Sequence, residues 1–288
     1  MFGPEIITRS ISTTRIFDHF GNEWQYHPQS DRHSKVTCWA VLFDLLRNCP
    51  LLVQHIEAGK VGFGINHELR DFQTGRKKDL DLVICSPGGG PQITSKFGKS
   101  KGEFTSLALS YGIKLHPDEQ LALSALPVFR TCSVGSVYVA LESKAAMTEH
   151  VKALPRLHDE LDSSHSTVHG HADNAIAVAT VLINSSQTFL SPNRNKFDLS
   201  TQAPVVNPHT QPKAVARTLE KIREIRRRSG TQHQGFDAVG IIIIDFPNSG
   251  VPCEVVREPP APKYDEPDNY EQMIRRIATL YASKFGAI

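Results

Sequence analysis

The chain reads as an α/β protein: a central mixed sheet with helices packed on its faces. Short apolar runs of strand length, residues 79–84, 137–144, 175–183 and 237–246, are rich in Val, Ile and Leu and bounded by turn residues. Between them lie longer stretches with apolar residues at helical spacing, such as 35–47 and 212–228. Neither an internal repeat nor a linker-like boundary divides the 288 residues, so one domain over 1–288 is expected. It would carry an N-terminal arm over about residues 1–33 and an insertion over about residues 86–135.

Residues 1–33 are polar and aromatic without clear periodicity and are read as irregular, with one short strand at most. Ser34 precedes a helix over 35–47 whose Val36, Trp39, Leu42, Phe43 and Leu46 leave little polar face. Pro50 stops it, and a second helix over 51–58 continues in a new direction. Residues 62–70 follow, with Glu68 placed on a stretch taken as helical, and Gly75-Arg76-Lys77-Lys78 turns into the strand at 79–84. Ser86-Pro87-Gly88-Gly89-Gly90-Pro91 is loop, leading past Lys96, Lys99 and Lys101 to helices over 104–111 and 117–126. The strand at 137–144 comes next, then a helix over 148–162 that Pro155 should kink or split. Residues 163–173 are read as a polar connection bearing His165, His169 and His171. After the strand at 175–183, residues 191–211 form a long loop and Pro212 opens a basic helix to about 228. The strand at 237–246, a proline-rich stretch at 252–267 and a terminal helix to 285, capped within Asp268-Asn269-Tyr270-Glu271, complete the chain.

Composition excludes several classes. An apolar content of 40%, a charged content of 22% and a net charge of +2 are those of an ordinary globular chain, not of a strongly basic coater of nucleic acid. Five cysteines, Cys38, Cys49, Cys85, Cys132 and Cys253, are odd in number and scattered, which suits reduced thiols rather than a disulfide framework or a zinc ribbon. The first residues lack the pattern of a secretory leader, and the most apolar run, 238–244, is too short to cross a bilayer. A cytoplasmic protein without membrane contact is therefore expected.

The chemistry is expected at two strands. In 137–144 a period of two puts Tyr138, Ala140, Glu142 and Lys144 on one face, opposite Val137, Val139 and Leu141. A carboxylate and an ammonium at the end of an apolar strand are costly unless a partner or a metal compensates them. In 79–84, Asp79 and Asp81 are likewise two apart and share a face.

This order of helix, acidic strand, Glu-x-Lys strand, helix and strand resembles the core of the PD-(D/E)XK nuclease superfamily, with residues 75–84 and 137–150 carrying the likeness. The resemblance implies a restriction-endonuclease-like αβββαβ core. Asp81 would match the aspartate of the pattern, Glu142 the second acidic ligand and Lys144 the lysine. Leu80 stands where the family often has a proline, and Asp79 is an equally legal aspartate, so the choice between the two stays open. Metal ligands are then Asp81, Glu142 and Asp79, with Glu68 as an outer or second-metal carboxylate. The implied activity is a Mg2+-dependent deoxyribonuclease, with Mn2+ as substitute ion, of a restriction, phage-defence or repair type. Double-stranded DNA is the implied substrate. A homodimer is expected for paired cuts, and an activating partner protein is a further expectation.

The chemistry has its own warrant. Phosphodiester hydrolysis needs a cation to neutralise developing charge and acidify a water, and hard carboxylate oxygens suit Mg2+. Lys144, partly desolvated beside that charge, is expected to have a depressed pKa and to orient or deprotonate the water. Arg76, Lys77, Lys78, Lys213, Arg217, Arg227 and Arg228 are the expected phosphate contacts. Two other readings compete: a non-catalytic nucleic-acid or protein-binding module on the same fold, and a metal hydrolase using His165, His169, His171 and Asp173. The triple glycine at 88–90 lacks the Gly-Lys-Ser/Thr of a phosphate loop and reads as a connector.

Overall fold

Residues 176–184 illustrate why a sheet forms at the centre. Ile176, Val178 and Leu182 enter one apolar core while Ala177, Ala179, Val181 and Ile183 enter another. Only a strand covered on both faces reads as a continuous apolar run, and each fully buried Ile or Val contributes about 2 kcal/mol of transfer free energy.

The structure, a computed structural model, describes residues 1–88, 102–148, 150–230 and 233–288, with the backbone alone at 151–153. Its elements begin with α1 (Gly3–Thr13), β1 (Ile16–Phe17), β2 (Glu23–Trp24), α2 (Arg32–Asn48), α3 (Pro50–Glu57), β3 (Gly62–Arg70) and β4 (Lys77–Pro87). They continue with α4 (Phe104–Ser110), α5 (Pro117–Ser124), β5 (Val134–Ala146), α6 (His150–His171) and β6 (Ile176–Asn184). The chain ends with β7 (Thr188–Leu190), β8 (Val206–Pro208), α7 (Lys213–Arg223), β9 (Ala238–Asp245), β10 (Glu254–Val255) and α8 (Tyr270–Phe285).

Six strands form the central mixed sheet in the order β10-β9-β6-β5-β4-β3. The meander β3-β4-β5 is antiparallel, whereas β5, β6 and β9 run parallel. Parallel neighbours need crossovers, and α6 and α7 lie in those connections. One sheet face packs against α6 and α7 through Leu157, Leu161, Val215 and Leu219. The other is covered by α2 and α8, where Trp39 stacks on Phe104 with ring centroids 4.9 Å apart. No single helix among the described residues is long and apolar enough to cross a membrane; α2 and α3 together reach that apolar length but bend by 97°.

Four expectations change. Residues 3–13 form a helix, because Ile6, Ile7, Ser10 and Ile11 lie on one buried face and Pro4 suits its first turn. Residues 62–70 are a strand, so Glu68 is not helical. Residues 163–171 continue α6, a 22-residue helix that passes through Pro155 without ending, so the three histidines are helical. The basic helix α7 stops at Arg223, because Ile225 and Arg228 turn into the interior. In α8 the capping side chain is Asn269, which accepts from Glu271 N. Gly89, Gly90, Pro91, Lys96, Lys99, Lys101 and the side chain of Val151 lie outside the described residues. All five thiols are free, yet Cys85 and Cys132 are brought together with their sulfurs 3.6 Å apart.

Candidate active site

Strand register decides what meets what. β4 and β5 pair up to Leu82↔Leu141, and one further step of that register would set Asp81 opposite Glu142. The ladder stops there. Instead the Asp81 side chain takes over, its Oδ2 accepting from Ser143 N at 2.8 Å. Opposite Asp81 on the other side, Asn66 in β3 has a left-handed φ of 48°, and no pair forms between them. This irregularity changes the face of β4: Leu80 packs with Val83 on the α6 side, while Leu82 and Ile84 point to the α2 side. A second irregularity at Tyr138, where the β4–β5 register shifts, sends Tyr138 to α8 and Val137 to the α6 side, the reverse of simple alternation.

Glu142 and Lys144 keep the shared face expected of them and point toward α6. Glu142 is only 2% exposed; its Oε1 receives Lys144 Nζ at 2.7 Å and lies 3.9 Å from Lys78 Nζ. Lys144 also meets Glu160 Oε2 of α6 at 3.0 Å, and Lys78 Nζ donates to the Glu160 carbonyl at 2.6 Å. The second carboxylate oxygen, Glu142 Oε2, is sealed from solvent and has no hydrogen-bond partner. That is costly: an ionised oxygen without a partner forfeits its hydration for nothing.

Electrostatics follow from this crowding. Burial raises the pKa of Glu142, with the neighbouring Asp81 charge adding to it and the two lysines opposing it. Burial likewise raises Asp81, against the hydrogen bond from Ser143 N and the attraction of Lys144 and Lys78. For Lys144, burial disfavours the charge, but Glu142 and Glu160 outweigh it and the pKa is raised. The depression expected of Lys144 is that beside a metal; with Glu142 and Glu160 as its neighbours its pKa is raised, and the depressed ammonium is that of Lys78, lowered chiefly by burial. Across the strands, Cys38 of α2 has its thiol held well above the usual range by burial, with Asp81 and Glu142 adding to the effect.

Other expected site residues fall elsewhere. Asp79 is exposed and pairs across the ladder with Glu68, so it does not share the setting of Asp81. Glu68 lies on the edge strand, its side chain joined to exposed Lys77 at 2.7 Å. Arg76 is exposed in the turn between β3 and β4. Lys213 and Arg217 are exposed on α7, and Arg227 is exposed beyond it.

Comparison of the chain with protein-family models, curated proteins and solved structures returns no match.

Arg228 is a correction among the phosphate contacts. It is buried, donating to Asp173 O at 2.8 Å, to Asp173 Oδ1 at 2.9 Å and toward His169 Nδ1 at 2.8 Å. His169 Nε2 in turn faces the Gly235 carbonyl at 2.9 Å, and His165 meets Asp162 at 3.0 Å. The histidines thus serve helix and loop packing. Among the described residues, no three His, Cys, Asp or Glu side chains gather as a metal cage. Arg228→Ala is expected to cost about 2 kcal/mol of stability by orphaning its acceptors, and to leave the salt slope of any nucleic-acid binding unchanged. Urea unfolding beside a salt titration of binding checks both.

Lys78 and Glu160 are the site members that sequence reading missed or misassigned. Lys78 stood among surface phosphate contacts because it sits in a basic run. Glu160 gave no local signal beyond lying on the helix after Lys144.

Proposed function

We propose that this protein is a divalent-metal-dependent nuclease of the PD-(D/E)XK kind, acting on DNA. The observation that carries the reading is the cluster of Asp81, Glu142 and Lys144 on adjacent strands, with Glu142 Oε2 buried and unpartnered. With α3, α4 and α5 taken as additions, the order α2, β3, β4, β5, α6, β6, an antiparallel meander followed by a parallel strand, is compatible with an αβββαβ core.

The residues fit a hard cation. Mg2+ asks for one or two carboxylates and keeps its remaining positions for water and substrate oxygens, so a complete protein cage is not needed. Asp81 and Glu142 are the residues that would hold it. Such an ion supplies positive charge where the phosphodiester gathers negative charge in the transition state.

The chain's own residues perform the remaining work. Lys144 holds a proton on Nζ and keeps the Glu142 carboxylate oriented through Oε1. Glu160 fixes the other side of that ammonium, so Lys144 is aimed rather than free to rotate. Lys78, tied to the Glu160 carbonyl, keeps a second positive charge close to Glu142, although burial lowers its pKa. Exposed Arg76 and Lys77 extend from the same strand's beginning and give salt-dependent attraction to the backbone of a duplex.

The test uses plasmid DNA with Mg2+, next to thermal unfolding with and without the ion. Mg2+-dependent cleavage is expected from the wild type and none from Glu142→Ala. Binding of the ion to the folded state alone should raise stability by about 2.7 kcal/mol at one hundred times its Kd, and Glu142→Ala should lose that rise. Because Asp81 and Glu142 take up protons at higher pH than ordinary carboxylates, protons should begin to displace the ion correspondingly earlier on acidification. Cleavage that survives Glu142→Ala, or an ion-induced stabilisation indifferent to it, would sink the reading.

A further inference from the structure

Beyond the carboxylate cluster, a separate cleft opens at the ends of parallel strands β5 and β6. Its volume is about 460 Å³, enough for a small ligand, and it lies where the chain leaves those strands for α6 and enters α7. Thr148 and His150 line it from the start of α6, and Thr210 and Lys213 from the start of α7, so the positive ends of two helices face the same space.

Its charge is one-sided. Arg194, Lys213 and Arg217 all line the cleft, and among the described residues no Asp or Glu does. Lys213 and Arg217 are four residues apart on α7 and so share a face. No ion pair or side-chain hydrogen bond engages these three cations among the described residues. Surface cations are usually dispersed among carboxylates, and three around one hollow with no carboxylate beside them among the described residues repel each other until an anion joins them.

The floor carries a second, independent signal. Asn207 is only 5% exposed, and its Oδ1 has no hydrogen-bond partner. Beside it, His209 Nδ1 lies 2.9 Å from the Ser186 carbonyl, which can only accept, so the neutral ring carries its proton there. His209 Nε2 is then an acceptor, also buried and unpartnered. His150 cannot serve it, since its own Nε2 is committed to the Asn184 carbonyl at 2.7 Å. Inorganic phosphate satisfies the cations, but its one or two hydroxyl hydrogens sit on the same small group that the cations hold. A ligand with an anionic group at one end and hydroxyl or amino hydrogens at the other satisfies both.

We propose that this cleft binds a nucleotide unit, its phosphate held by Arg194, Lys213 and Arg217 and its sugar or base donors directed to Asn207 and His209. The unit is either a free nucleotide or one residue of a bound strand; the recognising chemistry is the same. The proposal needs neither Asp81, Glu142 nor a metal, so it stands or falls apart from the nuclease reading.

Binding is measured without divalent ions, using a fluorescent N-methylanthraniloyl nucleoside diphosphate and, separately, a labelled 5′-phosphorylated single-stranded oligonucleotide. At least one probe is expected to saturate, and the one that does so identifies the source. Lys213→Ala with Arg217→Ala is expected to weaken it by roughly a hundredfold, about tenfold for each charge-assisted contact. Arg194→Glu, on an exposed side chain, should weaken it further than Lys221→Ala, which removes the same helix's charge outside the cleft. The proposal is overturned if neither probe saturates in the millimolar range, if the double variant binds like wild type, or if inorganic phosphate displaces the nucleotide as well as unlabelled nucleotide does.

Discussion

Asp81→Ala is expected to lower DNA cleavage by about 10³-fold, while Asp79→Ala leaves it within about twofold. The first figure corresponds to roughly 4 kcal/mol of transition-state stabilisation, the order lost when a charge-neutralising centre is removed. The contrast rests on placement. Asp81 is half-buried, bonded to the backbone of Ser143 between Glu142 and Lys144, feels the Lys144 charge, and itself raises the pKa of Glu142. Asp79, two residues earlier, is exposed beside Glu68 on the outer part of the sheet. Single-turnover cleavage rates of both variants, with far-UV circular dichroism to confirm folding, measure the difference. A dead Asp79 variant beside an active Asp81 variant would move the site by two residues and leave Glu142 without its neighbour.

The largest stability effect is expected from Asp44→Ala, roughly 4 kcal/mol, since several buried donors would lose their acceptor together. Asp44 is fully buried in α2, where Oδ1 accepts from Phe2 N at 2.9 Å and Oδ2 from Gly3 N at 2.7 Å. Tyr270 Oη of α8 donates to the same Oδ2 at 3.1 Å, and Arg47 lies 3.4 Å from Oδ1. One carboxylate therefore ties the start of α1 and the start of α8 to the central helix. Asn at this position keeps one acceptor oxygen and should recover part of the loss. Denaturant midpoints for the Ala and Asn variants test this, and equal midpoints for Ala and wild type would refute it.

Much of the sheet was legible from local pattern. Residues 137–144, 175–183 and 237–246 announce strands because buried β-branched runs with turn residues at their ends have few other uses. The helices expected over 104–111, 117–126 and up to 285 were also legible, the second from Pro117 at its start and the third from the Asp268-Asn269-Tyr270-Glu271 cap. Residues 3–13 were not, because a single short buried face beside a glycine and a proline gives little periodic signal; α1 forms by packing Ile6, Ile7 and Ile11 against α2. Pro155 misled in the opposite direction. A proline in a helix costs a bond and a clash, but α6 is anchored on both sides of it, by buried His150 meeting the Asn184 carbonyl before it and by Glu160 meeting Lys144 and Leu161 and Val168 in the core after it, and the helix persists.

What the sequence alone determined is the inventory: an α/β chain, two strands bearing Asp79, Asp81, Glu142 and Lys144, and the shared face of the last two. Period-two geometry is local, so it needs no knowledge of neighbours. Tertiary structure decided the rest. Irregularities at Asp81 and Tyr138 changed which side chains share a face, because each depends on how one strand registers against the next. The choice of Asp81 over Asp79 as neighbour of Glu142, the recruitment of Lys78 and Glu160, and the inward turn of Arg228 all arise between residues distant in sequence. Burial of charge is a property of the assembled sheet and helices, and no reading of one strand can supply it.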